Sequence, residues 1–125
     1  MTKEAALYNF WASFGLPAYD ESSVPTGDNA PPFPYITYQV STSYFENPVI
    51  LSASVWYRST SWVDANAKAQ EIGSKISRGG ILLRCEGGAV WISRGSPFAQ
   101  SMGDSSDPEI KRKYLNITAK FITAD

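Results

Sequence analysis

Asp64 and Glu71 are the first residues of this chain whose types and spacing could do chemistry. Seven apart in a stretch that reads as a helix, they share roughly one face, and two carboxylates are the minimum for acid–base work of the glycosidase kind. Their neighbours suggest a plainer task. Lys68 follows Asp64 by four residues and Lys75 follows Glu71 by four, the spacing of exposed ion pairs along a helix. The pairs Asp64–Lys68 and Glu71–Lys75 are expected, and no catalytic residue is assigned.

Other reactive groups are scarce. The chain has no histidine, which removes Ser-His-Asp and Cys-His arrangements and nearly all zinc sites. Cys85 is the one cysteine, so neither an intrachain disulfide nor a thiolate cluster can form, and a lone cysteine in an apolar strand reads as a small hydrophobe. Gly79-Gly80 and Gly87-Gly88 lack the Lys-Ser/Thr of a phosphate loop and read as turns. Lys111-Arg112-Lys113 is the only basic run. Alternation within a strand sends Arg112 to the face opposite the two lysines, and protection of an exposed sheet edge is the expected role. Eleven Lys+Arg against twelve Asp+Glu leave a formal charge of -1, without the electropositive excess that gripping a phosphate backbone needs. The expectation is a chain that is not an enzyme, with no metal and no cofactor.

The aromatics remain. Four Trp, seven Tyr and six Phe exceed what one core of this size conveniently absorbs, and Trp56 falls on the otherwise polar face of its strand. Trp, Tyr and Arg dominate interface hot spots. Trp56, Arg58, Trp62 and Arg94, with Phe98 and Met102 as large anchors, are therefore the candidate partner-facing residues. The competing reading is a core with partly exposed rims.

These residues must be positioned by a single domain spanning residues 1–125. With 43% hydrophobic and 18% charged residues the chain should fold around one core. Leu7, Phe10, Trp11 and Phe14 recur at helical spacing after Thr2 as N-cap, and Gly15 stops that helix. Residues 16–34 carry five prolines and read as a structureless loop, either a mobile arm or a solvated connector. Strands follow over 35–41 and 51–58, then a helix burying Ala65, Ala69, Ile72 and Ile76. A hairpin of 81–85 with 89–92 turns at Gly87-Gly88, residues 95–108 read as an irregular loop, and a last strand alternates through Leu115, Ile117, Ala119 and Phe121. The fold class is α+β, a mainly antiparallel sheet of about five strands with two helices packed on one face. No apolar run approaches the ~18 residues of a membrane span, so no membrane partner is expected and the chain is expected to be soluble and cytoplasmic when made.

Several strings carry a further signal: Phe14-Gly15-Leu16-Pro17-Ala18-Tyr19, Pro34-Tyr35-Ile36-Thr37-Tyr38, Trp56-Tyr57-Arg58-Ser59 with Ser61-Trp62, Arg94-Gly95-Ser96-Pro97-Phe98-Ala99-Gln100, and Tyr114-Leu115-Asn116-Ile117. In this order the chain resembles the tail terminators, also called tail completion or head–tail joining proteins, of long-tailed phages and prophages of Gram-positive bacteria. The resemblance implies a lambda-type terminator fold and a ring of copies of the chain, usually a hexamer. Such a ring caps the tail tube, meeting the major tail tube protein on one side and head–tail connector proteins on the other. DNA passes through the lumen without specific binding. The implied location is the virion, and the host cytoplasm during assembly. A neighbouring neck or minor tail protein is the close alternative, and a small peptide- or ligand-binding accessory domain the more distant one. A closed ring needs two different surfaces per subunit, for which the loops Asp20–Pro34 and Phe98–Asp107 are the candidates.

Overall fold

The computed structural model describes residues 1–44 and 47–124. Helix α1 (Lys3–Ala12) starts where Thr2 accepts a hydrogen bond from the Ala5 amide at 3.1 Å. Its stripe of Leu7, Phe10 and Trp11, continued by Phe14, is buried. Phe10 meets Trp11 and Phe14 edge-on at 4.9 and 5.2 Å, and Trp11 stacks on Tyr38 at 6.4 Å.

The last turn of α1 contains no basic residue to answer its unpaired carbonyls. Two cations from helix α2 (Val63–Ile76) stand just beyond its end instead, without bonding the carbonyls of α1 itself. Lys68 Nζ donates to the Phe14 carbonyl at 2.8 Å, and Lys75 Nζ to Ser13 Oγ at 2.8 Å while lying 5.2 Å from the Phe14 ring. This redirection corrects the expected helix-surface pairs. Lys68 pairs with Glu71 at 3.0 Å, and among the described residues neither Asp64–Lys68 nor Glu71–Lys75 forms.

Both helices pack on one face of a curled sheet, α1 against its outer strands and α2 against its middle ones. The sheet has six strands rather than five: β1 (Ala18–Asp20), β2 (Tyr35–Tyr38), β3 (Pro48–Arg58), β4 (Ile81–Cys85), β5 (Gly88–Gly103) and β6 (Ile110–Thr123), in the spatial order β1-β2-β3-β6-β5-β4. The added strand is β1, found inside the proline-rich segment. It pairs parallel with β2, every other pairing being antiparallel, so the sheet is mixed. Pro17 and Pro25 hide so short a strand from any pattern of alternation. Its first bond needs no donor from proline, because the Pro17 carbonyl accepts from the Ile36 amide at 2.8 Å. The rest of 16–34 holds two short 3-10 turns, Glu21–Ser23 and Gly27–Asn29.

Residues 95–103, expected in an irregular loop, continue β5. The ladder to β6 runs through Arg94, breaks, and resumes at Ala99. That bulge spans Gly95-Ser96-Pro97, where proline offers no amide to a ladder, and it hid the rest of the strand. Only the stretch from Asp104 onward turns, and it is ordered by side chains. Asp104 Oδ1 accepts from the Ser106 amide and hydroxyl at 2.8 and 2.6 Å, and Asp107 Oδ1 from the Glu109 amide at 3.0 Å.

The β4–β5 turn also shifts by one residue. Cys85 pairs with Gly88, leaving Glu86-Gly87 as the turn. Gly88 opens β5 at φ +149°, and a Cβ there would lie 1.9 Å from the Ile122 carbonyl oxygen, so the strand can start only with glycine. Cys85 is half-buried against the core. Strand β6 is interior, flanked by β3 and β5. Lys111-Arg112-Lys113 therefore does not protect an edge; the three cations sit at one end of the central strand.

Burial raises the pKa of Tyr35, Tyr38 and Tyr57 above 10.0, with smaller upward pushes from Tyr19 on Tyr35 and from Asp20 and Tyr8 on Tyr38. Lys68 partly opposes the rise at Tyr57, while Asp64 and Glu71 add to it. The fold favours the neutral phenols, so this stability is complete below the unfolded pKa and is lost as pH rises through the folded values. Tyrosinate absorbance should show these phenols ionising late and together with unfolding. Ionisation of all tyrosines before any loss of ellipticity would contradict the assignment.

Candidate interaction surfaces

Strand alternation divides the sheet into a core face under the helices and a helix-free face. Trp56 lies on the latter, in a continuous row with its cross-strand partners. Tyr35, opposite it on β2, stacks on the indole at 6.1 Å with 18° between planes. Arg112, opposite on β6, places its guanidinium 4.7 Å from the indole and 5.1 Å from the Tyr114 ring. Tyr19 and Phe33 extend the row beyond Tyr35 at 6.2 and 5.3 Å. Met102 continues it on β5, in register with Arg112. Two hydrogen bonds fix the row: Trp56 Nε1 donates to Thr37 Oγ1, and Arg112 Nε to Ser54 Oγ, both at 2.9 Å.

Trp56 is consequently half-buried and committed to its own sheet, with one rim left for a partner. Trp56→Phe should cost about 1 kcal/mol by removing the indole donor from the nearly buried Thr37. Urea denaturation is the check, and no change in midpoint would mean that the bond to Thr37 does not matter.

Arg58, two residues further along β3, is exposed and grips the β5–β6 turn. Its guanidinium meets Asp107 at 2.5 Å and Glu109 at 3.1 Å. Asp107 is the main cause of its raised pKa, reinforced by the hydrogen bonds to Glu109 and Asp107. Asp104 in the same turn is held below the ordinary carboxylate range, chiefly by the Ser106 hydroxyl and amide. The Arg58 cation is spent within the chain.

Trp62, Arg94 and Phe98 belong to the other face. Trp62 is half-buried just before α2, with Lys111 and Lys113 Nζ 5.7 and 5.9 Å from its ring. Lys113 also donates to Ser101 Oγ at 2.8 Å. Phe98 leans from the β5 bulge onto α2, where a Cβ on Gly73 would come within 3.0 Å of its ring. Between α2 and this bulge lies an open groove of about 520 Å³, lined among others by Gln70, Gly73, Arg94, Phe98 and Lys113.

The six candidate residues thus divide between two surfaces. Trp56 and Met102, with Arg58 at the margin, belong to the helix-free face; Arg94 and Phe98 belong to the groove, and Trp62 to the lysine pair beside it. No group of three or more His, Cys, Asp or Glu among the described residues could hold a metal ion, and no described helix is long and apolar enough to cross a membrane.

A scan against protein-family models finds no match, and a search of curated proteins finds none. Among solved structures, the fold is similar to a chain from the virion of a native gene transfer agent particle. The TM-score is 0.51 and the identity 19%, over 89% of this chain and 82% of that one. The likeness is one of fold, and it extends over most of both chains.

Sequence reasoning missed a second apolar patch on the helix-free face. Ile50, Leu82 and Trp91 are 70, 49 and 44% exposed. Leu82 and Trp91 are direct cross-strand partners, with Lys120 next to Trp91 on β6. The signal was present. Each is the apolar exception at an outward position of an alternating strand, as Trp56 is; the same test applied to the 81–85 and 89–92 strands would have found Leu82 and Trp91, whereas Ile50 precedes the strand read at 51–58.

Proposed function

We propose that this chain is a structural protein of a phage virion, and more narrowly a tail terminator. On this reading, copies close into a ring, a hexamer as the resemblance to tail terminators implies, that caps the tail tube and forms the surface for the head. Its work is adhesion to itself, to the tube protein and to connector proteins, with no bond-making step. The observation that carries the reading is the fold likeness, over 89% of the chain, to a component of a virion particle. The sequence strings that resemble tail terminators run through the same elements, from the end of α1 to β6.

The surfaces support it physically. A ring of identical subunits needs two non-identical faces that meet head to tail, and the molecule has large side chains both on the helix-free face and beside the α2 groove. A near-neutral chain also suits a lumen through which DNA must slide, since each neutralised phosphate would add to its grip.

The test is size and shape. Purified chain mixed with tubes of the major tail protein should be seen by negative-stain microscopy as a ring on one tube end, and light scattering should report the matching increase in mass. A chain that remains monomeric both alone and with tubes would refute the ring.

A further inference from the structure

We propose that the groove between α2 and the β5 bulge receives the acidic, proline-rich segment Asp20–Pro34 of a second copy of this chain. The inference rests on the ring reading and specifies which two surfaces meet within it.

Charge complementarity selects the occupant. The groove carries two cations, Arg94 and Lys113, amide groups from Asn66 and Gln70, and no carboxylate among its described lining residues. The segment carries Asp20, Glu21 and Asp28 and no Lys or Arg. Glu21 and Asp28 are exposed. The two surfaces therefore attract with opposite sign, which fixes pairing and speeds encounter.

Shape agrees with charge. The floor of the groove is apolar where Phe98 closes on Gly73, and the segment offers Val24, Pro25 and Pro31 between its acidic residues. Proline presets the backbone, so less conformational entropy is lost when such a segment is held. A cleft of about 520 Å³ also lies within the usual range of binding sites.

The occupant comes from another subunit. The segment joins β1 to β2, and β3 and β6 lie between those strands and β5. At about 4.8 Å per strand the separation of β2 from β5 is roughly 14 Å, and α2 stands over the intervening strands. No residue of 16–34 lines the groove of its own chain. A donor and an acceptor at different places on one subunit give the head-to-tail contact that generates a ring when the rotation closes.

Disulfide trapping between single-cysteine chains tests this. In a Cys85→Ser background, one full-length chain carries Asn29→Cys, at an exposed uncharged position of the segment, and the other Gln70→Cys, with Glu4→Cys on the exposed side of α1 replacing Gln70→Cys as control. Mixed at high protein concentration under mild oxidation, the Asn29→Cys and Gln70→Cys chains should yield about tenfold more heterodimer than the control pair. That excess should fall in 1 M salt, where the screening length is about 3 Å. Adding Arg94→Glu and Lys113→Glu to the groove chain should remove it, with unchanged circular dichroism. Heterodimer no more abundant than the control overturns the inference. If rings are nevertheless visible by microscopy, this pairing alone is wrong and the ring stands; if every condition gives monomer, both fail.

Discussion

Trp11→Ala is expected to destabilise the fold by about 3–5 kcal/mol, the range for deleting a large aromatic from a packed core. Trp11 is 2% exposed and packs against Phe10, Phe14 and Tyr38, so it joins α1 to β2 on the core face of the sheet. Its neighbours are held by separate elements and cannot collapse freely into the space. For a domain with typical stability of about 5–15 kcal/mol, the loss would leave much of the chain unfolded well below the wild-type midpoint. Urea denaturation followed by fluorescence of the other tryptophans measures it. A shift below about 1 kcal/mol would mean that α1 is not integral to the core.

Removing residues 21–30 is expected to unseat β1. In an antiparallel hairpin a short turn suffices, but parallel neighbours need a connection of about a dozen residues. Residues 21–34 supply fourteen, and the deletion leaves four. Losing the β1 ladder and the burial of Ala18 should cost about 2–4 kcal/mol. Replacing the same ten residues with Gly and Ser of equal length should leave β1 paired and the denaturation midpoint nearly unchanged, while removing the acidic groups available to a neighbouring copy. Hydrogen exchange at Ile36, whose amide bonds the Pro17 carbonyl, separates the two variants. Rapid exchange in the deletion and slow exchange in the replacement is the expected pair. Equal protection in both would contradict the claim that pairing of β1 depends on the length of this crossover.

That crossover shows where the sequence was readable and where it was not. Both helices and the β4–β5 hairpin follow from spacing, because each buries a periodic apolar stripe: Leu7 to Phe14, Ala65 to Ile76, and Val90 with Ile92. The alternation of Leu115 to Phe121 marked β6 as a strand with one buried face, while its interior place between β3 and β5, against the edge role expected for Lys111-Arg112-Lys113, came only with the sheet order. Strand β1 was invisible because three residues between prolines carry no period, and its partner is set by packing on α1. The outer half of β5 was hidden by its bulge, which shifts the alternation by one residue: Ile92 and Arg94 face the core side before the break, Ala99 does after it, and Gln100 and Met102 are turned outward.

The candidate surface was legible in type and not in place. An indole on a polar strand face does mark an outward aromatic, and Trp56 is one. What the sequence could not convey is how far its neighbours satisfy it, since Tyr35, Thr37 and Arg112 come from strands that only the sheet order brings together. Arg58 likewise answers to Asp107 and Glu109, some fifty residues away. Arg94, Phe98 and Lys113 converge because the bulge and α2 face one another, and that contact has no linear signature.

On the proposed reading, in which a phage or prophage would encode this chain, the most direct measurement is electron microscopy of particles assembled in a host from which its gene has been removed. Filled heads lying beside unattached tails, with joining restored by the wild-type chain supplied separately, is the predicted result. Complete, infectious particles in its absence would contradict the claim that this protein joins one part of a virion to another.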